Sequence, residues 1–490
     1  VSLWWLILLP TLSGLTAYLI RNDGLRHTLW VVVSVIHLAQ AALLNFFPTT
    51  DTTGIWIGQD ALSRIFLLLT SLLFLLSTIY GIGALRRDAV QPHPEMEEDN
   101  PLFGGRPEAI FTGCMLLFLA SMTTVILSRH FGLQWVAVEA TTLASAPLIY
   151  FHRNRRSLEA AWKYLLICSV GIALALMGVF CLALAGADAI RHLTVDALLA
   201  QAGTLDPLWL KLAFIFLLVG YGTKMGLAPL HNWLPDAHSE APSPVSALLS
   251  GALLNCAFLG ILRLQQVCVA ARMADFGQSL LILFGLVSMG LSGVFILRQA
   301  DYKRMLAYSS VEHMGILALG IGLSGSGIFG ALLHAVNHSL VKAMLFMAAG
   351  NILWAYRTKR VAEVTGVAQH LPASGVLWLG GFLAIAGSPP FGTFISEFTI
   401  LKAALDQGRF MVAALYLTFL LLIFVGMAGI VIKMALGEPR PDQPKVRTDP
   451  LCLAPPFLFG ALALVLGVYV PAAMQRLLQQ AATLLGGIGL

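Results

Sequence analysis

Apolar runs long enough to cross the ~30 Å hydrocarbon core of a bilayer recur along this 490-residue chain almost without interruption. Fourteen stand out, at 2–21, 25–47, 60–85, 108–128, 131–151, 157–186, 208–230, 241–269, 276–299, 302–322, 327–355, 372–405, 410–436 and 450–470. Hydrophobic residues make up 58% of the chain and charged residues 11%, so a soluble fold would require an implausible all-apolar core. The fold class is therefore an all-α polytopic membrane protein with fourteen transmembrane helices. The first run has no basic n-region and no small-residue cleavage site, and reads as a helix, not a signal peptide.

The loops between these runs divide by charge. One set carries Arg21, Arg26, Arg86, Arg87, Arg106, Arg153, Arg155, Arg156, Arg298, Lys303, Arg304, Arg357, Lys359, Arg360, Arg440, Lys445 and Arg447. The other set has few, among them Arg129, Arg191, Arg272, Arg409 and Arg476. The positive-inside rule then places the first set in the cytoplasm of a bacterial or archaeal cell and both termini on the outer side. The net charge of +5 reflects this orientation and gives no hint of nucleic-acid binding. The longest loop, Arg86–Pro107, carries Glu95, Glu97, Glu98 and Asp99 and reads as a solvated linker. No dinucleotide fingerprint, phosphate loop or HExxH motif occurs, and the six cysteines form no CxxC, so the chain is expected to hold no cofactor or redox centre of its own.

Against this background Lys224 is conspicuous, a lone cation in the run 208–230, five residues before Pro229. A charge at mid-membrane depth costs at least ~2.5–3.5 kcal/mol and normally faces a partner or a hydrated path. The segment that follows, with Pro229 and Pro235, breaks the helix, and irregular backbone at this depth must be buried in protein or line a cavity. Glu139, in the middle of 131–151, is the natural counter-ion, and pairing would recover roughly 4 kcal/mol at 4 Å in an effective dielectric near 20. The alternative is a static bridge locking two helices.

Further ionisable groups lie deep in other runs. His334, His338 and Lys342 are spaced i, i+4, i+8 along one stripe of a helix, and imidazoles there suit a proton relay. Structural histidines are the competing reading; a metal site is not expected, because no carboxylate or cysteine completes the ligand set at this spacing. Glu312 and His313 sit between the two broken helices. Glu397 follows a second break at Pro389 and Pro390, with Lys402 little more than a turn beyond. His231 and His238 belong to the first break and suit either a channel or the outer aqueous edge. Two broken helices at similar spacing suggest two inverted five-helix repeats, 108–269 and 276–436, after an N-terminal three-helix segment 1–107 and before a C-terminal helix and tail, 450–490.

At these residues the chain resembles the antiporter-like subunits of respiratory complex I, the Mrp antiporters and the membrane-bound hydrogenases, over nearly its whole length. The motifs that carry the resemblance are Gly222-Thr-Lys-Met-Gly-Leu-Ala-Pro-Leu-His-Asn-Trp-Leu-Pro-Asp-Ala-His, Pro244-Val-Ser-Ala-Leu-Leu, Asp301-Tyr-Lys-Arg-Met-Leu-Ala-Tyr-Ser-Ser, and His338 to Lys342. The segments starting at Val138 and Ser310 look most like component F of hydrogenase-4-type complexes. The resemblance implies that Glu139 and Lys224 are the family's acid–lysine pair, that His313 and His338 are relay histidines, and that Glu397 is the terminal ionisable group. It also exposes a departure: Asn255 stands where members similar to complex I's fourth core subunit have a lysine. Any step from Lys224 to His313 must then use water or Glu312. The chain ends about twenty residues after its last run and is expected to lack the lateral helix of similar, larger subunits.

The expected function is proton translocation, without catalysis, as one subunit of a redox-driven respiratory complex, NADH:quinone oxidoreductase-like or a membrane-bound hydrogenase. Nickel–iron and iron–sulfur centres would sit in partner subunits, and partners would be other membrane subunits, a peripheral hydrogenase or dehydrogenase arm, and lipids. The alternatives are an Mrp-like cation/proton antiporter and a non-pumping scaffold, the latter favoured by Asn255.

Overall fold

The computed structural model describes residues 2–46, 56–90, 107–186, 192–439 and 448–487. In chain order the helices are α1 (Trp4–Leu19), α2 (Asp23–Phe46), α3 (Ala61–Val90), α4 (Pro107–Leu127), α5 (Phe131–Ile149), α6 (Arg155–Gly186), the short α7 (Val195–Ala200), α8 (Pro207–Met225), α9 (Trp233–Glu240) and α10 (Ser243–Leu248). After a π-helical turn, Leu249–Leu253, come α11 (Leu254–Ala270), α12 (Ala274–Ile296), α13 (Tyr302–Gly322), α14 (Ser326–Tyr356), α15 (Val367–His370), α16 (Pro372–Ile385), α17 (Gly392–Asp406), α18 (Phe410–Leu436), α19 (Pro450–Val468) and α20 (Ala472–Leu484). Each apolar run falls on one helix, except that 241–269 spans α10 to α11 and 372–405 divides into α16 and α17. Among the described residues ten helices are long and apolar enough to cross a membrane, with α1 and α16 shorter apolar helices. The protein is a multi-pass, all-α membrane protein. Glu95, Glu97, Glu98, Asp99, Arg106, Arg191, Arg440, Lys445 and Arg447 lie outside the described residues.

The core runs along α14. Its 31 residues extend about 46 Å, and α10, α13, α16, α17 and α19 pack around it. The continuous unit from Ser243 to Ala270 is equally enclosed, whereas α2, α18 and α19 keep mostly outward faces. The stripe His334, His338, Lys342 therefore lies inside the molecule, where water could reach it only through protein. On the other side, α6 packs along the whole of α8. Glycines allow this close approach: a Cβ at Gly220 would come within 2.5 Å of the Gly171 carbonyl oxygen.

Three cations counted among the loop charges turn inward. Arg26 donates to Asp23 and to the Ile20 carbonyl at the end of α1, each at 2.6 Å. Lys303 donates to the Ala241 carbonyl (2.7 Å), and Lys359 to Glu240 (2.9 Å). Ile20 and Ala241 close the C-terminal ends of helices, where unpaired carbonyls and the dipole favour a cation. Counting loop charges cannot distinguish a solvated cation from one that folds back to cap a helix.

Candidate functional site

The first break begins where α8 stops. Gly226 adopts a left-handed conformation (φ 86°), and Pro229 lies in the connection to α9. Lys224, in the last turn of α8, is fully buried at the helix end whose partial charge is negative. Its Nζ donates to the Tyr164 hydroxyl at 2.5 Å and to Thr142 Oγ1 at 2.9 Å, and lies 4.3 Å from the Tyr164 ring centroid. Thr142 in turn donates to Glu139 Oε2 (3.2 Å), and Ser169 donates to Oε1 (2.9 Å). The expected direct Glu139–Lys224 pair is thus not formed: a threonine hydroxyl stands between them, reached because Thr142 lies one turn beyond Glu139 on the same face of α5. Glu139 itself is half-buried, facing α6, with the exposed side chains Val136 and Leu143 nearby on its helix.

Sequence reasoning missed both hydroxyls. The i, i+3 spacing could have found Thr142, but nothing in the α6 sequence marks Tyr164, which is placed by packing. Trp233 completes this wall, donating from Nε1 to the Thr223 carbonyl (2.8 Å) with its ring 4.9 Å from that of Tyr164. Pro235 does not break a helix. It occupies the third position of α9, within the first turn, where a missing N–H leaves no helical bond unmade.

Asn255 lies just past the π-helical turn. Such a turn shifts the backbone ladder by one residue, and the Gly251 carbonyl accepts from both Asn255 Nδ2 (2.8 Å) and Ser339 Oγ (2.7 Å). Asn255 Nδ2 also donates to Ser339 Oγ (2.8 Å), tying this helix to α14 beside His338. No hydrogen bond among the described residues joins Lys224 to Asn255.

Beyond Asn255 three histidines gather. His313 Nδ1 and His334 Nε2 are 2.8 Å apart, and His334 Nδ1 is 2.9 Å from Ser396 Oγ. The His338 ring centroid is 5.0 Å from that of His313, and His338 also meets the backbone of Ser250 in the π-helical turn. Glu312 Oε2 lies 3.9 Å from His313 Nε2, and Lys342 donates to the Leu306 carbonyl (2.8 Å). Glu397 arrives from the second turn of α17, after the break at Pro389 and Pro390, near the positive end of that helix. Gly387 (φ 64°) lies against its carboxylate so closely that a Cβ there would sit 2.0 Å from Oε2. One ligand-type atom each from His313, His334 and Glu397 fall within 4.8 Å of one another.

Lys402 does not join this row. It is exposed and paired with Asp406 at 2.6 Å, because five residues along a helix turn it about 140° away from Glu397. His238 is fully buried and stacks on Phe346 at 4.8 Å, and His231 lies between Phe295 and Tyr308. Neither faces an aqueous edge. Arg263, which drew no attention in the sequence, is a further buried cation: it contacts Asp60, with Ser63 Oγ at 3.0 Å.

This row of buried ionisable groups across two broken helices coincides with a family assignment. Residues 128–423 match the family model described as NADH:quinone oxidoreductase/Mrp antiporter, TM. The chain belongs to that family. Among its relatives, the hydrogenase-4 component F homolog of Methylacidiphilum infernorum is 33% identical over 485 residues, covering 97% of this chain and 96% of the relative. Two solved structures share the fold. A chain of the membrane-bound sulfane sulfur reductase, an archaeal respiratory membrane complex, superposes with a TM-score of 0.86 at 21% identity, covering 99% of this chain and 97% of that one. A chain of respiratory complex I from Thermus thermophilus gives 0.81 at 22% identity, covering 99% and 100%.

Proposed function

We propose that this chain is an antiporter-like, proton-translocating subunit of a redox-driven respiratory complex of the hydrogenase-4 or complex I type. The observation that carries the reading is the row Glu139–Thr142–Lys224, Asn255–Ser339, His338, His313–His334 and Ser396, with Glu397 beside it, buried apart from the half-buried Glu139. Hydroxyls and imidazoles both donate and accept, so every member can pass a proton or hold its neighbour in position to do so. Water would bridge Lys224 to the Asn255–Ser339 pair, since asparagine carries no titratable proton. Charge arriving at the lateral, half-buried Glu139 would draw Lys224 toward it through Thr142. Its withdrawal would return the lysine proton toward the histidines.

The reading includes fourteen crossings, two inverted repeats related through the α8–α9 and α16–α17 breaks, and both termini on the outer side. Nickel–iron or iron–sulfur centres would belong to a peripheral arm, and other membrane subunits would flank the chain. In energised vesicles carrying the assembled complex, Lys224→Ala and Glu139→Gln should each slow proton movement about 100-fold or more while assembly is retained. Unchanged pumping in both variants would remove the mechanism.

A further inference from the structure

The sequence gives the histidine stripe no carboxylate at metal-binding spacing, but the fold supplies one from another helix. Glu397 meets His313 and His334 with ligand-type atoms within 4.8 Å of one another, all three residues being buried. We infer that this cluster, with His338 as a fourth candidate ligand, is a binding site for a divalent transition metal, Zn²⁺ being the ion it fits best.

Two independent features support the inference. Two imidazoles and one carboxylate, with one further position open, is a donor set that zinc adopts, whereas magnesium and calcium prefer oxygen throughout. The Glu397 carboxylate oxygen Oε1, buried in this cluster, also lacks a hydrogen-bond partner. Bonds of 2.0–2.1 Å in a tetrahedral site place ligand atoms about 3.3 Å apart, so the widest separation must contract by about 1.5 Å. The His313–His334 contact, now 2.8 Å, must open slightly to admit the ion between the rings. The Ser396 hydroxyl, 2.9 Å from His334 Nδ1, would act as the outer partner that orients a ligating imidazole.

The functional consequence rests on the proposed proton relay, although the binding itself does not. The lone pairs that would hold the metal are those a proton needs to pass between His313, His334 and Glu397, so a bound ion stops conduction there.

The test uses the full chain, purified in detergent, stripped of metal and titrated with Co²⁺ as a spectroscopic stand-in for Zn²⁺. About one equivalent should be retained, with visible bands of a four- or five-coordinate nitrogen/oxygen site that Zn²⁺ displaces. Glu397→Gln and His334→Asn should each weaken binding at least about tenfold. X-ray absorption of the zinc-loaded wild type should show imidazole and carboxylate ligands without sulfur, a result that needs no variant to fold. No retained metal, sulfur ligation, or unchanged binding in both variants would overturn the site. Zn²⁺ should also slow proton movement in vesicles of the assembled complex. Metal binding without that slowing would leave the site standing and contradict the relay through it.

Discussion

Arg263 and Lys224 are both fully buried cations in apolar helices, yet their surroundings differ in kind. Arg263 is locked to Asp60 by direct contact, with Ser63 and, through the same carboxylate, Arg129 in attendance. Lys224 touches no carboxylate. Two hydroxyls hold it, and Glu139 lies one hydroxyl further away. A charge in direct contact with its counter-ion is expensive to neutralise and suits a lock. A charge held by neutral groups that exchange protons can be gained and lost.

Arg263→Ala should produce the largest effect. It strands the Asp60 carboxylate, and breaking a buried pair from one side costs about 3–5 kcal/mol, so this variant should melt earlier in detergent and accumulate poorly. Lys224→Ala should behave in the opposite way, accumulating normally while proton movement falls about 100-fold, the scale of a lost proton-transfer group. Equal effects of the two substitutions on accumulation would erase the contrast. A smaller change is expected for Ser396→Ala, which removes one hydrogen bond from His334. At about 0.5–1.5 kcal/mol, proton movement should slow by a few-fold to about tenfold, measured as initial acidification rate. Lys402→Ala should do almost nothing, because an exposed i,i+4 pair contributes about 0.3–0.5 kcal/mol. A strong loss of pumping in that variant would return Lys402 to the pathway.

Much of this was legible in the sequence because membrane chains advertise their anomalies. Lys224, Glu312, His313, His334, His338 and Glu397 each interrupt an apolar run, and burial of a polar group at that depth demands a reason. The stripe on α14 followed from helical periodicity alone. What escaped was everything that depends on contacts between helices. Tyr164 reads as an ordinary aromatic until α6 packs against α8. Glu397 could not be assigned to His313 and His334 without the path of the chain through the second break. Direct pairing of Glu139 with Lys224 was inferred from charge alone, and charge cannot show that Thr142 occupies the space between. Lys402 failed for a simpler reason: its separation from Glu397 in sequence is short, but its angle around the helix is wide. Pro235 shows the same limit of reading residues one at a time, since a proline in the first turn of a helix begins it without breaking it.

The central claim is that Glu139 controls Lys224 through the Thr142 hydroxyl. The direct measurement compares Thr142→Ser with Thr142→Val in energised vesicles carrying the complex. Serine keeps the hydroxyl and valine keeps the shape. Proton movement near the wild-type rate in Thr142→Ser and about tenfold slower in Thr142→Val is the result predicted. Equal rates in the two variants would contradict it.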